Sequence, residues 1–268
     1  MLYIVGTPIG NLEDISLRAI SILNEVDIIL CEDTRVAKVL TSKYNIKPKL
    51  VSYHKFNEHD ILDKYMTNLN LGMNLALITD SGMPLISDPG YLLVRGAIEN
   101  SIDIKIIPGP TAFVSSLILS GIPADKFLFY GFLPSQISKR KKELMILKDF
   151  PYTIIFYESS NRILESLRLM SEIFKDRNVS ISRELTKKYE ETLRFNLKDL
   201  NNIDVNFKGE LVIVVEGHKV RNVTTVDILT LYNEYIKLSS DQMQSVKLVA
   251  KELKIPKNIV YNMVMKKK

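Results

Sequence analysis

The first 120 residues alternate between short apolar runs and amphipathic stretches. LYIVGTP reads as a strand, and DISLRAISILNEV after it repeats its apolar positions at the helical period. VDIILCED and KLVSYH are further strand-like runs, followed by the helical patterns RVAKVLTSKY and HDILDKYMTNLN. NLALITD leads through a loop into PGYLLVRGAIEN, a helix with Pro89 near its start, and DIKIIPGP leads into TAFVSSLILSG. Five such alternations predict a parallel sheet covered on both faces.

The stretch SGIPADKF breaks this rhythm with Gly121 and Pro123, so residues 1–121 are expected to form a first α/β domain. FLFYGFLP, YTIIFYES, VSISREL, YEETLRFN and GELVIVVEG then read as strands, with helices over QISKRKKELMILKD and NRILESLRLMSEIF. Consecutive strands late in this series predict antiparallel or mixed pairing in a second α/β domain, 122–218. Three helical patterns follow, around 224–237, 242–253 and 257–266, in an extension covering 219–268. The last two flank LKIP, a turn compatible with a helix-turn-helix-like unit.

Charge changes this picture. Residues 1–217 hold 26 Lys plus Arg against 27 Asp plus Glu, whereas residues 218–268 hold 10 against 4. The basic excess therefore lies in the tail, which fits either an acidic partner such as nucleic acid or a solvated basic helix face. Hydrophobic residues at 46% and charged residues at 25% are ordinary for a folded soluble chain. The one cysteine, Cys31, lies in an apolar run and reads as a buried structural thiol. MLYIVGTPIG lacks the basic start and long apolar stretch of a signal peptide, and no run is long enough to span a bilayer. A cytoplasmic protein without a membrane partner is the expectation.

Three loops at the carboxyl ends of predicted strands are rich in Gly and Pro: GTPIGN, TDSGMPLISDPG and PGPTA. Ligands of parallel sheets bind at that edge, so their convergence predicts one site. A P-loop and a G-x-G-x-x-G fingerprint are both missing. Asp80 and Asp88 would repel a polyphosphate but suit a cationic or hydrogen-bonding ligand, a description that S-adenosyl-L-methionine (SAM) fits. Three histidines and one cysteine offer no metal-ligand spacing, so no metal is expected; His54 and His59 read as surface residues. CEDTR, YESSNR and RELTKKYEE place acids and bases together at other strand ends, as caps, salt bridges or functional groups. SKRKKE puts cations at a helix start, against the macrodipole, which fits a phosphate seat or a solvated surface equally.

Taken in order, VGTPIGNLEDIS, CEDTR, ITDSGMPLISDPG, PGPTA, GFLP, YESSNR, RELTKKYEE and GELVIVVEG resemble the ribosomal RNA small-subunit methyltransferase I family of the tetrapyrrole-methylase-like superfamily. The resemblance spans residues 2–217, and the tail resembles the helical extension of bacterial members. It implies two α/β domains of tetrapyrrole-methylase type with the cofactor cleft between them, a small C-terminal helical extension, and usually a homodimer. It also implies methyl transfer from SAM, leaving S-adenosyl-L-homocysteine, to a cytidine 2′-hydroxyl in the decoding region of 16S ribosomal RNA in the small ribosomal subunit. The implied cofactor residues are Thr7, Pro8 and Gly10 in the first loop, and Asp80, Ser81, Gly82, Pro84, Leu85, Ser87, Asp88, Pro89 and Gly90 in the second. Pro108, Gly109, Pro110, Thr111 and Ala112 complete the set in the third. Glu32, Asp33 and Arg35 are the first candidates for proton removal and charge placement, followed by Glu184 and Lys187. The superfamily also modifies tetrapyrroles and protein histidine; the basic tail and the RNA-type motifs argue against those acceptors. The chain departs from the family in reading DSGMP for DAGTP, with Ser81 and Met83, and YESSNR for YESPHR, with Ser160 and Asn161.

Overall fold

The computed structural model describes residues 1–203, 209–219, 225–253 and 255–265. The chain divides into two units, Met1–His218 and Lys219–Lys268. In the larger unit β1 (Leu2–Val5), β2 (Ile28–Cys31), β3 (Lys49–Ser52), β4 (Leu75–Leu77) and β5 (Ile104–Ile107) form a parallel sheet in the order β3-β2-β4-β1-β5. The connecting helices are α1 (Leu17–Glu25), α2 (Thr34–Lys43), α3 (Glu58–Asn70) and α4 (Tyr91–Glu99).

Side chains alternate across a strand, and here the alternation feeds two cores. Val5 and Ile29 pack with Leu23 of α1 and Leu40 of α2, whereas Leu2, Leu30 and Leu75 pack with Tyr65 of α3 and Leu93 of α4. Helices thus cover both faces, as the apolar pattern predicts. The sheet order sets β4, β1 and β5 side by side, so the three Gly/Pro-rich loops leave from neighbouring strand ends. Cys31 is fully buried, and burial pushes its thiol up to about 12, with the Asp80 and Asp33 charges adding to the shift.

The second sheet contains β6 (Phe127–Phe132), β7 (Thr153–Ser159), β8 (Asn178–Arg183), β9 (Glu191–Asn196) and β10 (Glu210–Val215), in the order β6-β7-β10-β8-β9. Only β6 and β7 run parallel, so the sheet is mixed. One face packs Phe156 and Ile213 against Leu144 of α6 (Ile137–Ile146) and Leu167 and Met170 of α7 (Ile163–Phe174). The other face receives Leu117 of α5 (Ala112–Ser120), which contacts Ile155, Val212 and Val214 in one cluster. The apolar rhythm groups α5 with the first five strands, yet its side chains join the second sheet, because their apolar partners lie there.

The basic cluster SKRKKE divides on folding. Its Arg140 is fully buried, which corrects the reading of the whole cluster as a phosphate seat or solvated surface. Arg140 Nε donates to Pro134 O and Nη2 to Ser135 O, both at 3.0 Å. Its Nη1 donates to Ser166 Oγ at 3.0 Å and Glu165 Oε2 at 3.1 Å. Ser166 Oγ in turn donates to Glu158 Oε2 at 2.5 Å, and Glu158 Oε1 pairs with Arg162 Nη2 at 2.6 Å. Desolvating such charges is costly, and the complete set of partners offsets that cost.

The smaller unit has its own core of Ile228, Tyr232, Val246, Val249 and Val260 on three helices, α8 (Thr225–Ser239), α9 (Gln242–Glu252) and α10 (Lys257–Met265). Asp241 caps α9 by accepting from Met243 N and Gln244 N. Residues 224, 254 and 266, at the edges of the expected helices and in the LKIP turn, lie outside the described residues. Among the described residues no helix is long and apolar enough to cross a membrane.

Candidate functional site

The three loops of the first sheet are tied to one another by backbone. Thr7 N donates to Gly82 O at 2.8 Å and Gly82 N donates back to Thr7 O at 3.2 Å. Thr7 Oγ1 donates to Thr79 O at 3.0 Å, so this buried threonine is a clamp between the first two loops. A Cβ on Gly109 would lie 2.8 Å from Gly6 Cα, a separation that two backbones reach only without side chains. Met83, the departure from the family pattern, places its sulfur against Gly6 and packs with the core under β1 and β4.

The first loop also reaches the second sheet. A Cβ on Gly10 would lie 2.5 Å from Leu185 O, and Asn11 N donates to Thr186 Oγ1 at 2.9 Å. Among the described residues, four of the eight non-glycine residues with positive φ lie in the second loop and in the loop after β8. Leu85 and Ser87 both have φ of 71°, Glu184 has 49° and Thr186 has 63°, a region that side chains rarely adopt. Strain of this kind persists where the surrounding structure over-determines it, and it gathers at ligand sites.

Between these loops is a cavity of about 290 Å³. Ile9, the segment from Thr79 to Met83, Ile86 to Asp88, and Thr111 with Ala112 line it from the first sheet. Phe132, Tyr157, Glu184, Lys187 and Glu210 line it from the second. The antiparallel register of β10 explains Glu210: it pairs with Ser159, so the start of β10 lies beside the end of β7. Glu158, Glu210 and the two aromatics were not among the expected site residues. The alternation in FLFYGFLP and YTIIFYES marks Phe132 and Tyr157, YESSNR contains Glu158, and Glu210 opens the run ELVIVV; none of these patterns names a facing partner.

Five acidic side chains, Glu32, Asp80, Asp88, Glu184 and Glu210, line the cavity with Lys187, whereas the Glu158 carboxylate is fully buried on Ser166 and Arg162. Lys187 Nζ pairs with Glu184 Oε1 at 3.0 Å, and Gly209 leaves the room for that carboxylate. Burial pushes Asp88 up to about 7, and the Glu32, Glu210 and Asp80 charges add to the shift. Burial, then the charge of Asp80, raises Glu32; burial also raises Asp80, whose Oδ1 accepts from Asp33 N at 3.1 Å. Like charges crowded at low dielectric give these shifts, and a cation relieves them.

Asp33 and Arg35 are placed differently from Glu32. Asp33 caps α2 by accepting from Arg35 N at 2.8 Å, and its carboxylate pairs with the Arg35 guanidinium at 2.6 Å. Those bonds hold Asp33 at about 2, and neither residue lines the cavity. Thr7, Pro8, Gly10, Pro84, Leu85, Pro89, Gly90, Pro108, Gly109 and Pro110 do not line the cavity either. His54, expected at the surface, is half-buried with Nδ1 enclosed, because its loop folds onto the Glu58 end of α3.

Residues 1–201 match the family model described as Tetrapyrrole (Corrin/Porphyrin) Methylases. The chain is 42% identical to a Ribosomal RNA small subunit methyltransferase I of Halalkalibacterium halodurans, over 97% of this chain and 93% of the relative. It is 40% identical to the protein of that name from Bacillus subtilis, over 98% and 93%. Among solved structures, the methyltransferase CobJ superposes with a TM-score of 0.59 at 18% identity, covering 81% of this chain and 93% of that one. Uroporphyrin-III C-methyl transferase from Thermus thermophilus, complexed with S-adenyl homocysteine, gives 0.54 at 18% identity, covering 82% and 98%. These two likenesses concern the fold.

Proposed function

This chain belongs to the ribosomal RNA small subunit methyltransferase I family of the tetrapyrrole methylases, and from that premise we propose that it 2′-O-methylates a cytidine ribose in the decoding region of 16S ribosomal RNA, with SAM as methyl donor. The observation that carries the reading is the carboxylate-lined cavity between the two sheets, closed by three interlocked loops. Its lining fits the donor. The carboxylates favour its sulfonium and ammonium, Phe132 and Tyr157 offer faces to an adenosine, and the glycine contacts bring backbone groups close. The motif set supports the cytidine 2′-hydroxyl as acceptor, and the basic tail supports RNA as its carrier. The resemblance also carries a homodimer, which sedimentation of the full chain tests.

Bound SAM supplies a methyl group already activated on a sulfonium. The chain's own task is to align the acceptor oxygen and take its proton, since a ribose hydroxyl is a poor nucleophile while protonated. Glu32 has the position for the proton: it lines the cavity, accepts from Thr79 Oγ1 at 3.4 Å, and is made more basic by burial and Asp80. Glu184 is held by Lys187 and orients rather than accepts. Asp33 and Arg35 fix the start of α2 behind the Asp80 carboxylate.

The test is methyl transfer from labelled SAM to unmodified small ribosomal subunits, with the modified nucleotide mapped. The expected product is a single 2′-O-methylated cytidine in the decoding region. A methylated base, or no transfer with SAM binding intact, overturns this reading.

Asp88 gives the site a pH dependence. A cationic ligand favours the ionised carboxylate, whose pKa in the protein alone is raised to about 7, so binding releases a proton. SAM affinity should therefore rise about 10-fold between pH 6 and pH 8 and level off above that. Titration calorimetry in buffers of different ionisation enthalpy reads both quantities, and Asp88→Asn should flatten the profile. A wild-type affinity independent of pH over this range would remove Asp88 from contact with the cation.

A further inference from the structure

The cavity does not stand alone on its side of the first sheet. Thr79 and Asp80, which line it, also line a groove of about 400 Å³ whose floor includes Pro8, Leu12, Val36 and Val39. Val36 and Val39 are 43% and 59% exposed, the apolar flank of α2. Arg35 lines this groove and also a second one of about 650 Å³, on the opposite flank of α2, formed by Thr34, Lys38, Ser42, Asn45 and Pro48. Helix α2 is thus a ridge with an apolar trough on one side and a polar trough on the other, and Arg35 stands where they meet.

The charge of this segment is unlike that of its surroundings. Residues 34–49 contain Arg35, Lys38, Lys43, Lys47 and Lys49 and no carboxylate, whereas residues 1–217 as a whole are close to balance. Asp33 pairs with Arg35 and Glu13 with Lys43, the latter at 3.5 Å. Lys38, Lys47 and Lys49 are exposed, the last two on either side of Pro48. The order of chemistry along this path is cations with hydroxyls, then an apolar floor, then carboxylates at Glu32 and Asp80. In a nucleotide the ribose joins phosphate to base, so a target ribose at these carboxylates can lay its base on the adjoining apolar floor while phosphates of the flanking nucleotides meet the cations.

We infer that the two grooves flanking α2 form the track of the acceptor RNA strand, with phosphates beside Arg35, Lys38, Lys47 and Lys49 and the target base over Val36 and Val39. The inference rests on the RNA-methylating reading above and deepens it. A single-stranded segment is the occupant, because sequence-specific RNA recognition works on splayed-out bases whereas a duplex hides them. The track delivers the ribose to the seam of the groove and the cavity, at Thr79 and Asp80. Charge supplies the affinity and the apolar floor supplies the register.

Two experiments on the full chain test this, both with small ribosomal subunits that lack the modification. In the first, Lys38→Ala, Lys47→Ala and Lys49→Ala are combined. KM for the subunits should rise about 10-fold, and the log–log salt slope of binding should fall by about 2, the counterions of three phosphate contacts to single-stranded RNA. SAM affinity, read by calorimetry, should stay as in wild type, which shows the variant is folded. In the second, Val39→Cys carries a photo-crosslinker; the native Cys31 is fully buried and leaves the new thiol as the labelling site. The expected crosslink is to RNA within a few nucleotides of the methylated ribose. Unchanged KM and salt slope in the triple variant overturn the inference while wild-type methylation still stands. A crosslink confined to a ribosomal protein overturns it in favour of a protein-docking ridge. A wild type that binds SAM and methylates no RNA overturns the underlying reading and the inference together.

Discussion

An Arg140→Ala variant is expected to lose about 3–5 kcal/mol of stability, the cost of breaking a buried ionic network by removing one partner. The deletion strands the carbonyls of Pro134 and Ser135, each bonded to the guanidinium at 3.0 Å, and removes the donor to Ser166 Oγ and Glu165. It also leaves a cavity under the contact of α6 with α7. Melting should fall by roughly 10 °C for a unit of this size. Arg140→Lys should recover only part of the loss, since an ammonium cannot reproduce a planar fork spread over four acceptors. A melting temperature within a degree of wild type for Arg140→Ala would show that the network is not needed.

The largest effect on turnover is expected from Glu32→Gln. The amide keeps the size of the side chain and can still accept from Thr79, but it cannot take a proton. General-base removal lowers kcat by about 10²–10⁴-fold. SAM affinity should change only a few-fold, because Asp80, Asp88, Glu184 and Glu210 remain around the cavity. The acid limb of the kcat profile, set in wild type by the raised Glu32 carboxyl, should vanish together with the rate. Retained turnover at saturating SAM would assign alignment alone to this site and leave the hydroxyl proton to solvent.

The parallel half of the fold was open to reading because every strand is an apolar run and every helix an amphipathic one, with caps such as Ser16 and Asp33 at the helix starts. The neighbouring positions of β4, β1 and β5 were not, since strand order depends on which helix covers which face. The placement of α5 on the second sheet was hidden for the same reason: its nine residues are apolar nearly all round, so no stripe says where it packs. Arg140 carried a signal that composition masked. It shares a face with Leu144 and Leu147, the spacing of a buried stripe, but it sits among four lysine and serine neighbours that suggest a surface.

At the cavity, the loops were marked by Gly and Pro, while the strain was not. Leu85, Ser87, Glu184 and Thr186 are ordinary residues in a left-handed conformation, and their sequence gives no hint of it. Asp80 and Asp88, the acids whose loop suits a cation, both line the cavity. Asp33, equally acidic and equally close to a strand end, caps a helix instead. The distinction depends on a backbone turn of one residue, which composition cannot express.

The meeting of Gly10 with the Leu185 carbonyl has a consequence for how the larger unit comes apart. Separating the two sheets at that seam breaks the hydrogen bond from Asn11 N to Thr186 Oγ1 and unpacks Gly10 from the Leu185 carbonyl. By the same token, the seam couples the melting of the two sheets: native-state hydrogen exchange in β1 and β8 should report one shared opening event, with the cavity its first casualty.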